Sequence, residues 1–236
     1  MALALALGAC ASEVDNKPAA EVAPPPPPAE EPEAPAAGAV MLKANVESSS
    51  ISFVGAKVTG DHAGSFGKID GTGKLEGGEL TATTWTVDLD SVETDAEKLT
   101  GHLKTADFFD VEQYPTSTFE STSISKTDDG HEVKGTLDLH GQKNEITFPA
   151  TIATTDNGAT LKAEFTIKRF DWGIEYPGKA DDLIKDEVLL KIDVALDGPT
   201  GEAQAEAKPM PAGIAPPGKA PGAKGGKAKG GKAKGN

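Results

Sequence analysis

The chain has 236 residues, of which 37% are hydrophobic and 5% aromatic, and its formal net charge is −14 at pH 7. This length favours one folded domain over two. The single cysteine excludes an intrachain disulfide, and the four histidines lie in different segments without ligand-type spacing, which argues against a structural zinc site.

The first ten residues, "MALALALGAC", form an apolar run that is too short to span a bilayer. The small residues before Cys10 resemble a bacterial lipobox, which implies that Cys10 is lipidated and becomes the mature N-terminus. A chance cysteine in an Ala/Leu-rich start is the alternative. The run lacks the basic residues of a signal peptide, so we expect the true start to lie upstream. Ala11 after the cysteine favours the outer membrane.

Residues 11–45 are predicted to be a linker. They contain "KPAAEVAPPPPPAEEPEAPAAGA", which is rich in Pro, Ala and Glu. Such a composition buries too little apolar surface to offset the entropy cost of ordering, and its proline run favours extended polyproline II. We therefore expect a disordered tether that holds a folded domain away from a membrane.

Residues 46–198 are predicted to be the folded domain, because their dominant hydrophobic period is two, which is typical of strands with one buried face. In "LTATTWTVDLD", for example, Trp85, Val87 and Leu89 share one face. Eight such segments occur, most of them joined by short turns such as His140-Gly141. Strands with one polar face form antiparallel sheets, and a sheet of eight twisted strands tends to close into a barrel or to split into a sandwich.

The inward positions of these strands alternate bulky residues with small ones, such as Gly135, Ala150 and Ala163. A barrel of eight strands has an interior that is either filled by side chains or holds one slender ligand. The small residues favour an elongated cavity, although a taper filled by neighbouring side chains would give the same pattern.

One helical segment interrupts the strands. "ETDAEKLTGHLKTADFF" has apolar residues at helical spacing, and Thr94 followed by Glu97 predicts a capping box at its start. Three aromatic residues follow the helix before the next strand. We predict that these side chains cover one mouth of the barrel: Phe108, Phe109 and Tyr114.

Residues 199–236 are predicted to be a disordered tail rich in Lys, Gly, Ala and Pro. Residues 208–236 carry seven Lys and no acidic residue, so the formal charge is +7 there and −21 over the rest of the chain. We expect this tail to contact an anionic surface, and a solvated low-complexity tail is the alternative. No aromatic residue is interleaved to stack on bases, which argues against nucleic acid as a partner.

Two segments resemble a known family. "GHLKTADFFDVEQYPTSTFES" and "VKGTLDLHGQKNEITF" are similar to the recurring pattern of the YceI-like family, in which a His-Leu-basic-Ser/Thr-x-Asp-Phe-Phe-Asp stretch precedes a Tyr-Pro, a Phe-x-Ser strand and a Gly-x-Leu-x-x-x-Gly hairpin. The resemblance covers about residues 48–197. It departs at Lys104, where arginine is more usual, and at Thr105, where serine is more usual. The matching positions are His102, Leu103, Lys104, Thr105, Asp107, Phe108, Phe109, Asp110, Tyr114, Pro115, Phe119, Ser121, Gly135, Leu137 and Gly141.

This resemblance implies an all-β fold, an extended eight-stranded antiparallel lipocalin-like barrel. The short helix and the disordered N- and C-terminal tails are added to this fold class from the residues themselves. The resemblance also implies a hydrophobic tunnel that holds a long polyisoprenoid chain or a similar amphiphilic lipid in a bacterial periplasmic protein. With acylated Cys10, the expected location is the periplasm, at the outer membrane. A homodimer is compatible with the sequence, which leaves the oligomeric state open.

The predicted function is the binding, carriage or sequestration of such a lipid, without catalysis, metal or cofactor. The alternative is an envelope scaffold or adhesion protein with a side-chain-filled barrel and a basic surface-binding tail. Ordinary core packing would also explain each candidate residue. The predicted ligand-binding residues are Phe53, Trp85, Val87, His102, Phe108, Phe109, Tyr114, Phe119, Leu137, Phe148, Phe165, Ile167, Leu190 and Ile192.

Overall fold

A computed structural model describes residues 12–24 and 39–198. The predicted lipobox with Cys10, residues 25–38 of the predicted linker and the predicted tail at 199–236 lie outside the described residues. The described strands are β1 (Glu21–Ala23), β2 (Val40–Ala44), β3 (Ser50–Lys57), β4 (Gly60–Phe66), β5 (Ile69–Glu76), β6 (Glu79–Asp88), β7 (Val92–Thr94), β8 (Thr116–Thr127), β9 (Gly130–Leu139), β10 (Gln142–Thr155), β11 (Gly158–Lys168), β12 (Gly178–Lys179) and β13 (Asp182–Asp197). The helix α1 spans Glu97–Leu103, and short 3-10 helices span Glu13–Asn16, Val46–Ser48, Leu89–Ser91 and Arg169–Trp172.

The strands close into an antiparallel barrel. The pairing runs β10–β9–β8–β6–β5–β2–β13–β11, and β11 pairs again with β10. This ring of eight strands confirms the predicted barrel. Closure pairs the ring strands with one another except where β10 and β11 separate, and there residues 18–23 pair with both. Few strand edges are therefore left to aggregate.

Three walls of the barrel are long strands broken by a bend. β2 and β3 both pair with the same edge of β13, so they lie end to end along it. β5 pairs with β2 while β4 pairs with β3, and β6 and β7 pair in turn with β5 and β4. The three broken strands therefore continue the barrel towards α1, and the end of the barrel that carries α1 is called the α1 end below.

The barrel begins earlier than predicted. The first ring strand starts at Val40, inside the segment predicted to be linker, and Leu42 in that strand is buried against the largest core cluster. The predicted boundary at residue 46 is therefore wrong. A strand of five residues with one inward leucine is too short for a clear period of two, which explains the error.

The turn between β9 and β10 depends on Gly141. His140 and Gly141 have φ angles of 52° and 72°, as in the two-residue hairpin turns whose twist matches that of the strands. A Cβ atom at Gly141 would also lie 2.5 Å from a ring carbon of Tyr114. Glycine at position 141 therefore allows both the left-handed backbone and the close approach of the Tyr114 ring.

The predicted capping box is wrong. Residue Ala96 occupies the N-cap position of α1 and makes no side-chain cap hydrogen bond. Thr94 belongs instead to β7, and its Oγ1 lies 2.9 Å from Thr100 Oγ1. The pairing of β7 with β4 holds Thr94 in extended backbone. The helix therefore starts at Glu97, three residues after Thr94.

Residues 12–24, which we call the N-terminal strap, pack against the outside of the barrel. Val14 in the first 3-10 helix is buried against Val54, Ala56 and Leu189, and the Ser12 side chain caps this helix. The prediction that the whole of residues 11–45 is a disordered tether is therefore wrong for the strap. The apolar contact of one valine offsets part of the ordering cost that composition alone assigns to the segment.

Ion pairs fasten the strap to the barrel wall. Lys185 Nζ lies 2.7 Å from Asp15 Oδ1, and Lys17 and Lys191 pair with Glu164 and Glu13 respectively. The Ser12 hydroxyl also donates to the Asp61 carboxylate, at 2.9 and 3.0 Å from its two oxygens. These pairs are solvent-exposed, so each contributes little on its own.

Acid is expected to release the strap. The hydrogen bond from Lys185 lowers the pKa of Asp15 from its ordinary value of 3.8, and the hydrogen bond from Lys17 lowers the pKa of Glu164 from 4.5. Because both folded-state pKa values are depressed, these groups stabilise the docked strap at neutral pH, and this stabilisation is lost as pH falls through the folded-state values.

Hydrogen exchange of the strap amides measures this release. After normalisation for intrinsic exchange rates, protection of residues 12–24 is expected to fall as pH drops from about 5 to about 2, whereas β9 stays protected. The double variant Asp15→Asn/Glu164→Gln should show weak strap protection that no longer depends on pH in this range. Unchanged strap protection in the wild type at low pH would contradict the prediction.

Candidate functional site

The barrel encloses a cavity of about 400 Å³ at the α1 end. This volume lies within the range of about 300–1,000 Å³ that is usual for ligand pockets. Its wall is made by inward side chains of the strands, which alternate with outward polar residues. The wall residues are Ile51, Phe53, Trp85, Val87, Phe119, Leu137, Leu139, Ile146, Phe148, Phe165, Ile167, Val188, Leu190 and Ile192.

Two groups of three rings, which we call the aromatic cover, close the α1 end of the cavity. In the first group, the Phe53 and Phe66 centroids are 5.6 Å apart, and Phe109 lies 5.9 Å from Phe66. In the second, His102 lies 5.0 Å from Phe108 and 4.8 Å from Tyr176. Edge and tilted contacts at these distances stabilise aromatic clusters beyond the area they bury. The cover consists of Phe53, Phe66, His102, Phe108, Phe109 and Tyr176.

The loop after α1 holds the aromatic cover in place through its own polar groups. His102 Nε2 lies 2.8 Å from Asp107 Oδ2, and the Phe109 amide donates to the Leu103 carbonyl at 3.0 Å. Asp110 adopts a positive φ of 47°, which turns the chain after the two phenylalanines. The motif aspartates therefore shape the loop that presents Phe108 and Phe109 to the cavity.

The two departures from the family pattern lie outside the cavity wall. Lys104 Nζ pairs with Asp90 Oδ1 at 3.1 Å, and Thr105 Oγ1 donates to the His102 carbonyl at 2.8 Å. Both residues therefore support the loop and its attachment to the neighbouring strands. Neither substitution changes the surface that faces the cavity.

Polar residues meet at one place on the cavity boundary, which we call the rim. Lys57 Nζ lies 2.6 Å from Asp182 Oδ2, and Thr59 Oγ1 donates to Asp182 Oδ1 at 2.9 Å. The hydrogen bond from Lys57 lowers the pKa of Asp182 below its ordinary value. His62, also on the rim, pairs with Asp95 at 2.9 Å. The cavity is thus apolar inside and polar where it meets solvent.

Arg169 is a buried cation beside the cavity, with only 4% of its surface exposed. Its guanidinium donates to three backbone carbonyls: Nε to Lys185 at 3.0 Å, Nη1 to Ile174 at 2.6 Å and Nη2 to Ile184 at 3.3 Å. Burial lowers its pKa, and the charge of Asp186 opposes that shift. Arg169 therefore ties the segment after β11 to the start of β13 and closes this corner of the cavity.

The structure brings the sequence-predicted site residues together, with one exception. All of them except Tyr114 line the cavity. Tyr114 packs 4.8 Å from the His140 ring and against Gly141, so it supports the β9–β10 turn beside the barrel. Whether the lining residues contact a ligand stays a prediction.

Sequence reasoning missed Arg169 and several apolar lining residues. Continuing the period of two from Phe165 and Ile167 places Arg169 on the inward face. Arg169 could therefore have been predicted from the sequence. The same alternation places Ile51, Leu89, Leu139, Ile146 and Val188 on inward faces, so they too could have been predicted. The remaining residues lie in the helix, at strand ends or in loops, where a period of two gives no guide. The missed apolar residues are Ile51, Phe66, Leu89, Leu99, Leu103, Leu139, Ile146, Ile174, Tyr176, Ile184 and Val188.

Residues 12–24 and 39–198 contain no helix that is both long and apolar enough to cross a membrane. The same residues contain no cluster of three or more His, Cys, Asp or Glu side chains arranged to hold a metal ion.

Comparison with known sequences gives a consistent family match. The model of the YceI-like domain matches residues 42–196. A UPF0312 protein of Vibrio cholerae is 36% identical over 124 residues, which cover 49% of this chain and 66% of that protein, just under two thirds of its length. A UPF0312 protein of Pseudomonas putida is 30% identical over 144 residues, which cover 57% of this chain and 72% of that protein.

Solved structures share the fold. The crystal structure of BcnA from Burkholderia cenocepacia has a TM-score of 0.59 and 23% identity, covering 64% of this chain and 98% of BcnA. A polyisoprenoid binding domain from Saccharophagus degradans, implicated in plant cell wall breakdown, has a TM-score of 0.55 and 18% identity, covering 68% of this chain and 99% of that domain. At these identities the likeness concerns the fold alone.

Proposed function

Because the chain belongs to the YceI-like family, we propose that it binds a long-chain amphiphile of the polyisoprenoid type in its barrel cavity. The observation that carries the proposal is the cavity itself, with an apolar wall, an aromatic cover and a polar rim. The fold shared with the polyisoprenoid binding domain of Saccharophagus degradans supports the ligand class.

The physical basis of binding is burial of the apolar chain. Transfer of apolar surface from water contributes about 25 cal/mol per Å², or about 0.8 kcal/mol for each buried methylene group. A chain threaded along Trp85, Phe119 and Phe148 gains this energy without directional contacts. The head group would lie at the rim, where Lys57, Asp182 and solvent satisfy its polar atoms.

We further propose that the protein carries or sequesters this lipid in the bacterial periplasm, anchored to the outer membrane through acylated Cys10. The lipobox before Cys10 and the proline-rich segment after it support this location. Carriage of a lipid between membranes requires that its chain be shielded from water, and the closed wall provides such shielding.

The scaffold alternative receives less support from the described residues. That hypothesis required a barrel filled by its own side chains, whereas the barrel retains a cavity of about 400 Å³. Its second element, the Lys-rich tail, lies outside the described residues. The experiment below separates the two functions.

Native mass spectrometry tests the proposed ligand directly. We expect the full chain, purified from a bacterial envelope fraction without added detergent, to carry one long-chain lipid that organic extraction releases. The predominance of apolar wall residues is the reason for retention during purification. If the protein instead has its apo mass and keeps it when isoprenoid alcohols of increasing length are added, lipid binding is contradicted and the scaffold function is favoured.

A further inference from the structure

The barrel wall contains a seam between β10 and β11. These two strands pair from Thr151–Thr155 of β10 to Gly158–Lys162 of β11, next to their connecting turn. Towards the α1 end their mutual register stops, while β10 continues to pair with β9 and β11 continues to pair with β13. Two facing strands therefore separate over the part of the wall that borders the cavity.

The N-terminal strap fills this seam. The Ala20 amide donates to the Thr166 carbonyl at 2.8 Å, and the Thr166 amide donates to the Pro18 carbonyl at 2.9 Å. Immediately afterwards, β1 pairs antiparallel with residues 145–147 of β10. The segment runs parallel to β11, as the bridge between Ala19 and Thr166 shows, so residues 18–23 form an inserted ninth wall strand.

The cavity lies directly behind the inserted strand. Ile146 and Phe148 of β10 and Phe165 and Ile167 of β11 flank the seam, and all four line the cavity. The Phe148 and Phe165 rings stack across it at 4.2 Å. Ala20 packs against the same core cluster. Removal of the inserted strand would leave only these side chains between the apolar interior and solvent.

The inserted strand is held weakly compared with the walls around it. Its residues Glu21–Ala23 are exposed, and the strap buries only Val14 fully. The remaining fastening consists of the short backbone pairing with β10 and Thr166, the partly buried Ala20, and solvent-exposed ion pairs. Segments with few buried contacts undock at a lower free energy than the global unfolding of the domain.

From this arrangement we propose that residues 18–23 gate the cavity: undocking of the strand opens the seam, and an apolar chain enters sideways between β10 and β11. This inference rests on the proposed lipid function and specifies its route. A lateral slot admits the chain along its length while the polar head stays in water. Tail-first entry past the aromatic cover also leaves the head in water, but the tail must first displace packed rings.

A disulfide across the seam tests the gate. Glu21 and Thr147 are register partners on the outer face, where directly opposite Cβ atoms are close enough for a disulfide. In full-length Cys10→Ser protein, Glu21→Cys/Thr147→Cys locks the strand when oxidised and frees it when reduced. The matched control is Ser52→Cys/Ser65→Cys, which joins the outer faces of the paired strands β3 and β4.

The readout is the rate of uptake and release of cis-parinaric acid, a long-chain fatty acid whose emission rises on binding. We expect oxidation of the seam pair to slow exchange by about tenfold or more, with recovery on reduction and no change in the control pair. Equal exchange rates in the oxidised and reduced seam variant would overturn the gate and leave the lipid function intact. Failure of every form to bind the probe at equilibrium would overturn both.

Discussion

Gly55→Trp is expected to abolish lipid uptake while leaving the barrel folded. Gly55 lies on the inward face of β3 with Ile51 and Phe53, and it lines the cavity. A Cβ atom built there meets no other atom within 4 Å, so the cavity offers space for a side chain at this position. The indole would therefore occupy ligand volume instead of displacing the wall.

The measurement for Gly55→Trp is the affinity for cis-parinaric acid, together with lipid content by native mass spectrometry. We expect affinity to fall by about 100-fold or more, which corresponds to about 2.7 kcal/mol. Ser50→Trp is the matched control, because it adds the same side chain to the exposed outer face of the same strand. Wild-type affinity in a folded Gly55→Trp protein would contradict this cavity as the binding site.

Arg169→Ala is expected to destabilise the domain by about 2–4 kcal/mol, because a buried acceptor left without its donor costs about 1–3 kcal/mol. Arg169 supplies the donors for three carbonyls between the end of β11 and the start of β13. Its loss leaves buried acceptors at Ile174 and Ile184 without this partner and creates a void beside the cavity. Lysine lacks the planar guanidinium that donates to three carbonyls at once, so Arg169→Lys is expected to recover only part of the loss.

Urea denaturation of the full chain measures this effect, with Lys168→Ala as the matched control. Lys168 is the preceding residue and is exposed, so its removal should change stability by less than about 0.5 kcal/mol. A loss below about 1 kcal/mol in Arg169→Ala would contradict the prediction, because it would mean that water donates to these carbonyls in place of the guanidinium without penalty.

The hydrophobic period of two made the strands of the barrel predictable from the sequence. Alternation in segments such as "LTATTWTVDLD" identifies the strands, and their number leads to closure. The bends between β2 and β3 or between β6 and β7 could not be predicted, because pairing with β13 and β5 determines where a strand continues. The same limitation hid Phe66, which lies at the bend between β4 and β5 and lines the cavity.

The strap shows a second limit of sequence reasoning. Composition averaged over residues 11–45 predicts disorder, yet Val14 and a few charges suffice to dock residues 12–24 on surfaces contributed by distant parts of the chain. Tyr114 shows a third limit, because a motif position indicates that a side chain matters without indicating which neighbour it packs against. Its partner, Gly141, follows 27 positions later at a tight turn.

The hydrogen bond between Ser12 and Asp61 also limits the length of the tether between Cys10 and the barrel. Asp61 precedes His62 of the cavity rim, so docking of Ser12 fixes the chain beside the opening. With Cys10 acylated as proposed, two residue steps, about 7 Å at full extension, join the anchor to that point and hold the rim at the bilayer surface. With the strap undocked, the tether extends from Cys10 to Val40 and spans at most roughly 100 Å. Undocking of the whole strap would thus change the largest distance between the barrel and its membrane anchor from about 7 Å to roughly 100 Å.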